Sequence, residues 1–120
     1  MPDRVLVVLA ALLGFSGVAA GAFGAHALSA DPRAVDLLRT GGSYALWHAL
    51  AMLACLALRL GRAAPGLFGV GACLFSFSLY ALALGAPTAV ALVTPVGGTA
   101  LLLGWVALAV AGLRGRLSGP

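Results

Sequence analysis

The chain alternates long uncharged apolar runs with short polar breaks. After Met1-Pro2-Asp3-Arg4, the stretch from Val5 to Ala25 holds 21 residues without a charge. At about 1.5 Å per helical residue it extends about 31 Å, enough to cross the hydrocarbon of a bilayer. A second run, Ser43 to Leu58, is closed by Arg59 and Arg62. A third starts at Pro65-Gly66 and reaches Leu84, and a fourth from Val96 to Leu113 is closed by Arg114 and Arg116. The pattern predicts an all-α membrane protein of four transmembrane helices in one domain, 1–120, with approximate spans 5–25, 43–58, 66–84 and 96–113.

Between the first two runs the pattern turns polar, with Asp31, Arg33, Asp36 and Arg39. Asp31-Pro32 reads as an N-cap followed by the first helical position, and Gly41 reads as a stop. Val35 and Leu38 share one face while Arg33 and Asp36 lie away from it. These features predict a short amphipathic helix lying on the membrane surface. The uncharged connection 85–95 carries two prolines and is apolar over Ala89 to Val93. It reads either as a segment dipping into the membrane or as an early start to the last helix.

Glycines add a packing expectation. Gly14, Gly17, Gly21 and Gly24 recur at spacings that put them on one helical stripe, and Gly17 and Gly21 form a GxxxG. They predict a groove into which another helix presses its backbone, and Gly97-Gly98 opens the last span with a similar pair. Gly69, Cys73, Ser76 and Tyr80 form a second stripe of mostly small residues. Tyr44 and Trp47 suit the aromatic belt at a water interface.

Composition strengthens the membrane reading. Hydrophobic residues make up 62% and charged residues 8% of the chain, and its mean hydropathy is +1.12. A soluble chain of this length has too little interior to hide that surface. The net charge of +4 comes from seven arginines and no lysine. They sit singly or in pairs at the ends of apolar runs, so they orient a membrane protein rather than bind nucleic acid. Arg4 before an apolar run also resembles a secretory leader. The run exceeds the usual leader core of about 7–15 residues and reads as a retained span. Cys55 and Cys73 lack CxxC spacing and read as small packing residues.

Arginine counts set the orientation. Arg4, Arg59, Arg62, Arg114 and Arg116 fall on one side of this threading, and Arg33 and Arg39 on the other. The positive-inside rule puts both termini in the cytoplasm. His26, Tyr44, His48, Ser76, Tyr80 and Thr94 then gather in the outer half as a polar cluster, with His48 about 7.5 Å inside. Ionisable residues within spans are functional candidates. The cluster reads first as an interhelical hydrogen-bond network, second as a proton-responsive or solute site at His26 and His48, and third as a metal or haem site. Two histidines without Cys, Asp or Glu make an incomplete metal site. No GxSxG surrounds Ser76 or Ser78, and no acidic residue in the spans completes a hydrolase triad. Neither a catalytic residue, a metal nor a cofactor is expected.

Four blocks occur together: Gly21-Ala-Phe-Gly-Ala-His26, Tyr44-x-x-x-His48-Ala-Leu-Ala, Leu74-Phe-Ser-x-Ser-Leu-Tyr80, and Thr94-Pro-Val-Gly-Gly98 followed by Gly104-Trp105. Over nearly its whole length the chain resembles the small bacterial inner-membrane proteins grouped as domain of unknown function 423. The resemblance implies a four-span inner-membrane protein without an assigned molecular activity, and it supplies no catalytic residues. Its motif positions here are His26, Tyr44, His48, Ser76, Tyr80, Thr94, Pro95, Gly97 and Gly98. Two positions depart from the family pattern. Ala45 stands where members often carry Gln, which removes a hydrogen-bonding group. Phe77 stands where a small residue is common.

These readings converge on a structural or accessory membrane protein rather than an enzyme. Its partners are the lipid bilayer and either further copies of itself or another membrane protein. An oligomeric transporter of a small solute or ion, with the histidines at its outer mouth, is the alternative.

Overall fold

The computed structural model describes residues 1–115 as four helices, α1 Asp3–His26, α2 Pro32–Ala57, α3 Ala63–Ala83 and α4 Thr94–Leu113. A 3-10 turn over Thr88–Leu92 leads into α4. Three stretches are long and apolar enough to cross a membrane: Asp3–His26, Ala63–Ala83 and Thr88–Leu113. Helix α2 matches them in length, with 26 residues, but Arg33, Asp36 and Arg39 make its first turns polar.

The separate surface helix expected between the first two spans is not formed. Asp31 does cap α2, its carboxylate accepting the Ala34 N–H at 3.2 Å, and Pro32 follows at the first position. The helix then continues through Gly41 and Gly42 without a break. Gly41 is not a stop because its missing side chain is used for contact. A Cβ there would lie 2.9 Å from the Tyr80 ring and 3.1 Å from the Ser76 carbonyl oxygen. Adjacent Gly42 is held by α1 in the same way. The 85–95 connection is a turn with no buried residue over Thr88–Leu92.

Sequence neighbours pack antiparallel, with extensive backbone contact between α1 and α2, α2 and α3, and α3 and α4. Lipid tails are as apolar as leucine, so close packing between helices depends on small residues. Gly17 and Gly42 provide it for α1 and α2, since a Cβ on either would fall 2.5 Å or 2.8 Å from the other's carbonyl oxygen. Gly71 and Gly97 do the same for α3 and α4, at 3.0 Å and 2.8 Å. Leu6, Leu13, Met52 and Phe68, each 0% exposed, fill the centre between these contacts.

The seam on α1 runs through Leu6, Ala10, Leu13, Gly17, Ala20 and Gly24. Their spacing alternates four and three, the repeat of helices that pack along a shared seam. Gly21 falls about 40° round the helix from Gly17 at 100° per residue. It meets nothing within 4 Å, while Gly14 makes only ordinary contact with Leu46 at 3.8 Å. Gly17 and Gly24 approach α2 closely, Gly14 meets it at ordinary contact distance, and Gly21 alone of the four does not face it.

Both ends of the molecule are marked by charge. Arg62 Nε donates to Asp3 Oδ1 at 2.7 Å, tying the start of α3 to the start of α1. Arg62 and Arg114 line one recess there, and Arg59 lies in the same turn. Arg59 ends α2 at φ 57, the left-handed position that Gly85 takes at φ 97 after α3. His26, Arg33 and Arg39 occupy the opposite end. Arg116 lies outside the described residues.

Candidate functional site

Polar side chains within the helices form three separate contacts rather than one outer cluster. The first joins α1 to α3. Ser16 donates its hydroxyl hydrogen to the Leu13 carbonyl at 2.8 Å, leaving its oxygen to accept from the Tyr80 hydroxyl at 3.2 Å. The second joins the end of α3 to the start of α4. Ser78 donates to the Phe75 carbonyl at 2.8 Å and accepts from Thr94 at 2.6 Å.

The third contact joins α2 to α4 through His48. Its Nδ1 lies 2.7 Å from the Tyr44 carbonyl, an acceptor only, so Nδ1 carries the hydrogen. Its Nε2 is 3.1 Å from Trp105 Nε1, a donor only, so Nε2 is the bare nitrogen. These two fixed partners define a neutral imidazole in one tautomer. The ring is buried, 5% exposed, and touches Phe68 at a centroid distance of 5.4 Å and Trp105 at 5.8 Å.

Packing register sets the depth of His48. Gly17 is nine residues, about 13 Å, from the His26 end of α1, and Gly42 lies level with it. Six residues further along α2, His48 is about 22 Å from that end of a helix about 36 Å long. It therefore sits near mid-depth, slightly toward the arginine end, and not 7.5 Å inside the other end. Tyr44 and Trp47 flank the midpoint of α1's length too. The sequence expectation started α2 at Ser43; its actual start at Pro32 carries these residues deeper.

His26 is exposed in the last turn of α1 and is not brought to His48. Ser76 is 0% exposed and its Oγ has no partner among the described residues. Among the described residues no group of three His, Cys, Asp or Glu converges. Cys55 is in the core and Cys73 is half-buried.

Tyr44, Trp47, His48, Phe75, Thr99 and Trp105 line a cleft of about 680 Å³ between α2, α3 and α4. Half-buried Gly98 forms part of its floor, its Cβ position 3.7 Å from the Phe75 ring. Both tryptophans of the chain are here, 56% and 47% exposed. The Tyr44 ring makes tilted contacts with Phe75 at a centroid distance of 4.7 Å and with Trp47 at 5.2 Å. Ser16, Ser78 and Trp105 were not among the residues singled out by sequence as the cluster. Trp105 is 57 residues from its partner, and no local pattern links them.

The family described as "Protein of unknown function (DUF423)" matches residues 20–98. The inner membrane protein YgdD of Escherichia coli strain K12, of the group UPF0382, is 41% identical over 99% of this chain and 97% of its own length. A UPF0382 membrane protein of Haemophilus influenzae is 40% identical over 92% of this chain and 94% of its own. YwdK of Bacillus subtilis, named a UPF0382 membrane protein, is 32% identical over 92% and 98%. No solved structure matches the chain.

Proposed function

This chain belongs to the DUF423 family, and from that premise we propose that it is a four-span inner-membrane protein with both termini in the cytoplasm, acting as a structural or accessory bundle. The observation that carries the fourth span is the register of α2. From Gly42 to Cys55 it is packed against α1 and α3, two helices long and apolar enough to cross a membrane. A helix held along its length between two spans shares their direction through the bilayer. Its polar first turns, with Asp36 and Arg39 paired at 3.9 Å and exposed, then stand in the interfacial layer. Clustering of Arg59, Arg62 and Arg114 at the opposite end supports a cytoplasmic placement of that end.

An accessory role fits better than a transport path because three pairs of internal polar side chains are spent on joining helices, and buried Ser76 stands apart from them. Ser16 with Tyr80, Ser78 with Thr94, and His48 with Trp105 each join two helices. No charged side chain of the described residues is buried. The partners of the bundle are the bilayer and a second copy or another membrane protein. Co-purification in mild detergent with mass spectrometry tests this role. A reproducible membrane-protein partner or a homo-oligomer is expected. A monomer without a partner that also passes solute in proteoliposomes contradicts it.

A further inference from the structure

We propose that the cleft between α2, α3 and α4 binds an uncharged planar ring with hydrogen-bond acceptor oxygens and a long apolar tail, the chemistry of a lipid-soluble quinone. The inference rests on α2 and α4 crossing the bilayer, which puts the cleft at mid-depth and opens it sideways to lipid. Tryptophan and tyrosine in membrane helices are usually found at the interfaces, where their polar atoms reach water. Here Tyr44 and Trp47 lie near the midpoint of α1's length, where hydrocarbon offers no acceptor.

Hydrogen-bond bookkeeping identifies the ligand class. His48 has spent both nitrogens, Trp105 has spent its N–H, and Thr99 donates to the Pro95 carbonyl at 2.8 Å. The Tyr44 hydroxyl and the Trp47 N–H have no partner among the described residues. The residues that line the cleft thus include two with free donors and none that is charged. A neutral acceptor satisfies the donors, whereas a saturated acyl chain leaves both unpaired. The ring faces of Tyr44, Trp47, Phe75 and Trp105 suit a flat ring, since aromatic pairs favour offset or edge contact. The volume is within the range of about 300–1,000 Å³ typical of small-molecule sites. An apolar tail leaves through the open side along exposed Leu102.

The test is titration of the full chain in phosphatidylcholine nanodiscs with a decyl-tailed benzoquinone, read by fluorescence of the two cleft tryptophans. A saturable component above the linear quenching due to partition into lipid is expected. Gly98→Leu fills the cleft floor and should abolish that component. Tyr44→Phe removes one donor and keeps the ring, and should weaken binding about 5- to 10-fold, the equivalent of one hydrogen bond. Because Tyr44→Phe changes only one atom, it carries the test if Gly98→Leu does not fold. Purely linear quenching by the wild type overturns the proposal. So does equal saturation in both variants, or full competition by a lipid with saturated chains. A topology reporter at 29 and at 60 separates failure of the four-span reading from failure of the site: same-side signals with saturable binding reject the former alone.

Discussion

Trp105 donates its indole N–H to Nε2 of His48 across 3.1 Å, and this bond ties α4 to α2 across the aromatic cleft. Helix α4 otherwise packs chiefly on α3. A double-mutant cycle of Trp105→Phe and His48→Ala should give a coupling of about 0.6–1.7 kcal/mol, the range of interhelical bonds inside membranes. Thermal unfolding of the four proteins in detergent measures it. Strict additivity would mean that the bond contributes nothing.

The two seam glycines give a sharper contrast. A Cβ on Gly17 falls 2.5 Å from the Gly42 carbonyl oxygen, so the helices must separate to admit it. Gly17→Ala should destabilise the protein by about 1–3 kcal/mol through overpacking. Gly21→Ala, on the same helix and in open space, should be neutral or slightly stabilising because alanine is the better helix former. Unfolding midpoints of the two variants in one detergent decide the matter, and equal losses would contradict the seam.

What could be read from sequence followed what is local. Apolar runs gave α1, α3 and α4 nearly their true lengths, and the arginines among the described residues partition between the two ends as their positions in the chain imply. Gly41 misled because one residue type ends helices and also lets them touch; the choice depends on Tyr80 and Ser76, 39 and 35 residues away. That single misreading started α2 too late and displaced His48, Tyr44 and Trp47 from mid-depth to an outer layer. Gly21 shares a stripe with Gly17 but lies off the seam, a difference of about 40° that spacing alone does not resolve. Trp105 pairs with His48 over a sequence distance that no periodicity spans.

The turn after α2 yields another expectation. Arg59 holds φ 57, where a side chain costs about 1–2 kcal/mol relative to glycine. The following Leu60 N–H closes the helix end on the Cys55 carbonyl at 3.0 Å. Arg59→Gly should therefore raise the unfolding midpoint while removing one charge from that end. A fall in the midpoint would show that the arginine makes up for its strain through lipid headgroups.

The exposed Arg62–Asp3 pair is a weak clamp despite its 2.7 Å length, with side chains 59% and 61% exposed. Asp3→Asn should cost no more than about 1 kcal/mol, and the cost should shrink as salt is raised. Salt-independent loss of several times that amount would mean that the N-terminal turn is buried against another chain.

The central claim is that α2 crosses the membrane even though its first turns are polar. It is tested most directly by fusing a two-sided topology reporter within the segments at residues 29, 60 and 86 and after residue 113. The account predicts the first and third outside, and the second and fourth in the cytoplasm. Signals from 29 and 60 on the same side of the membrane would contradict it.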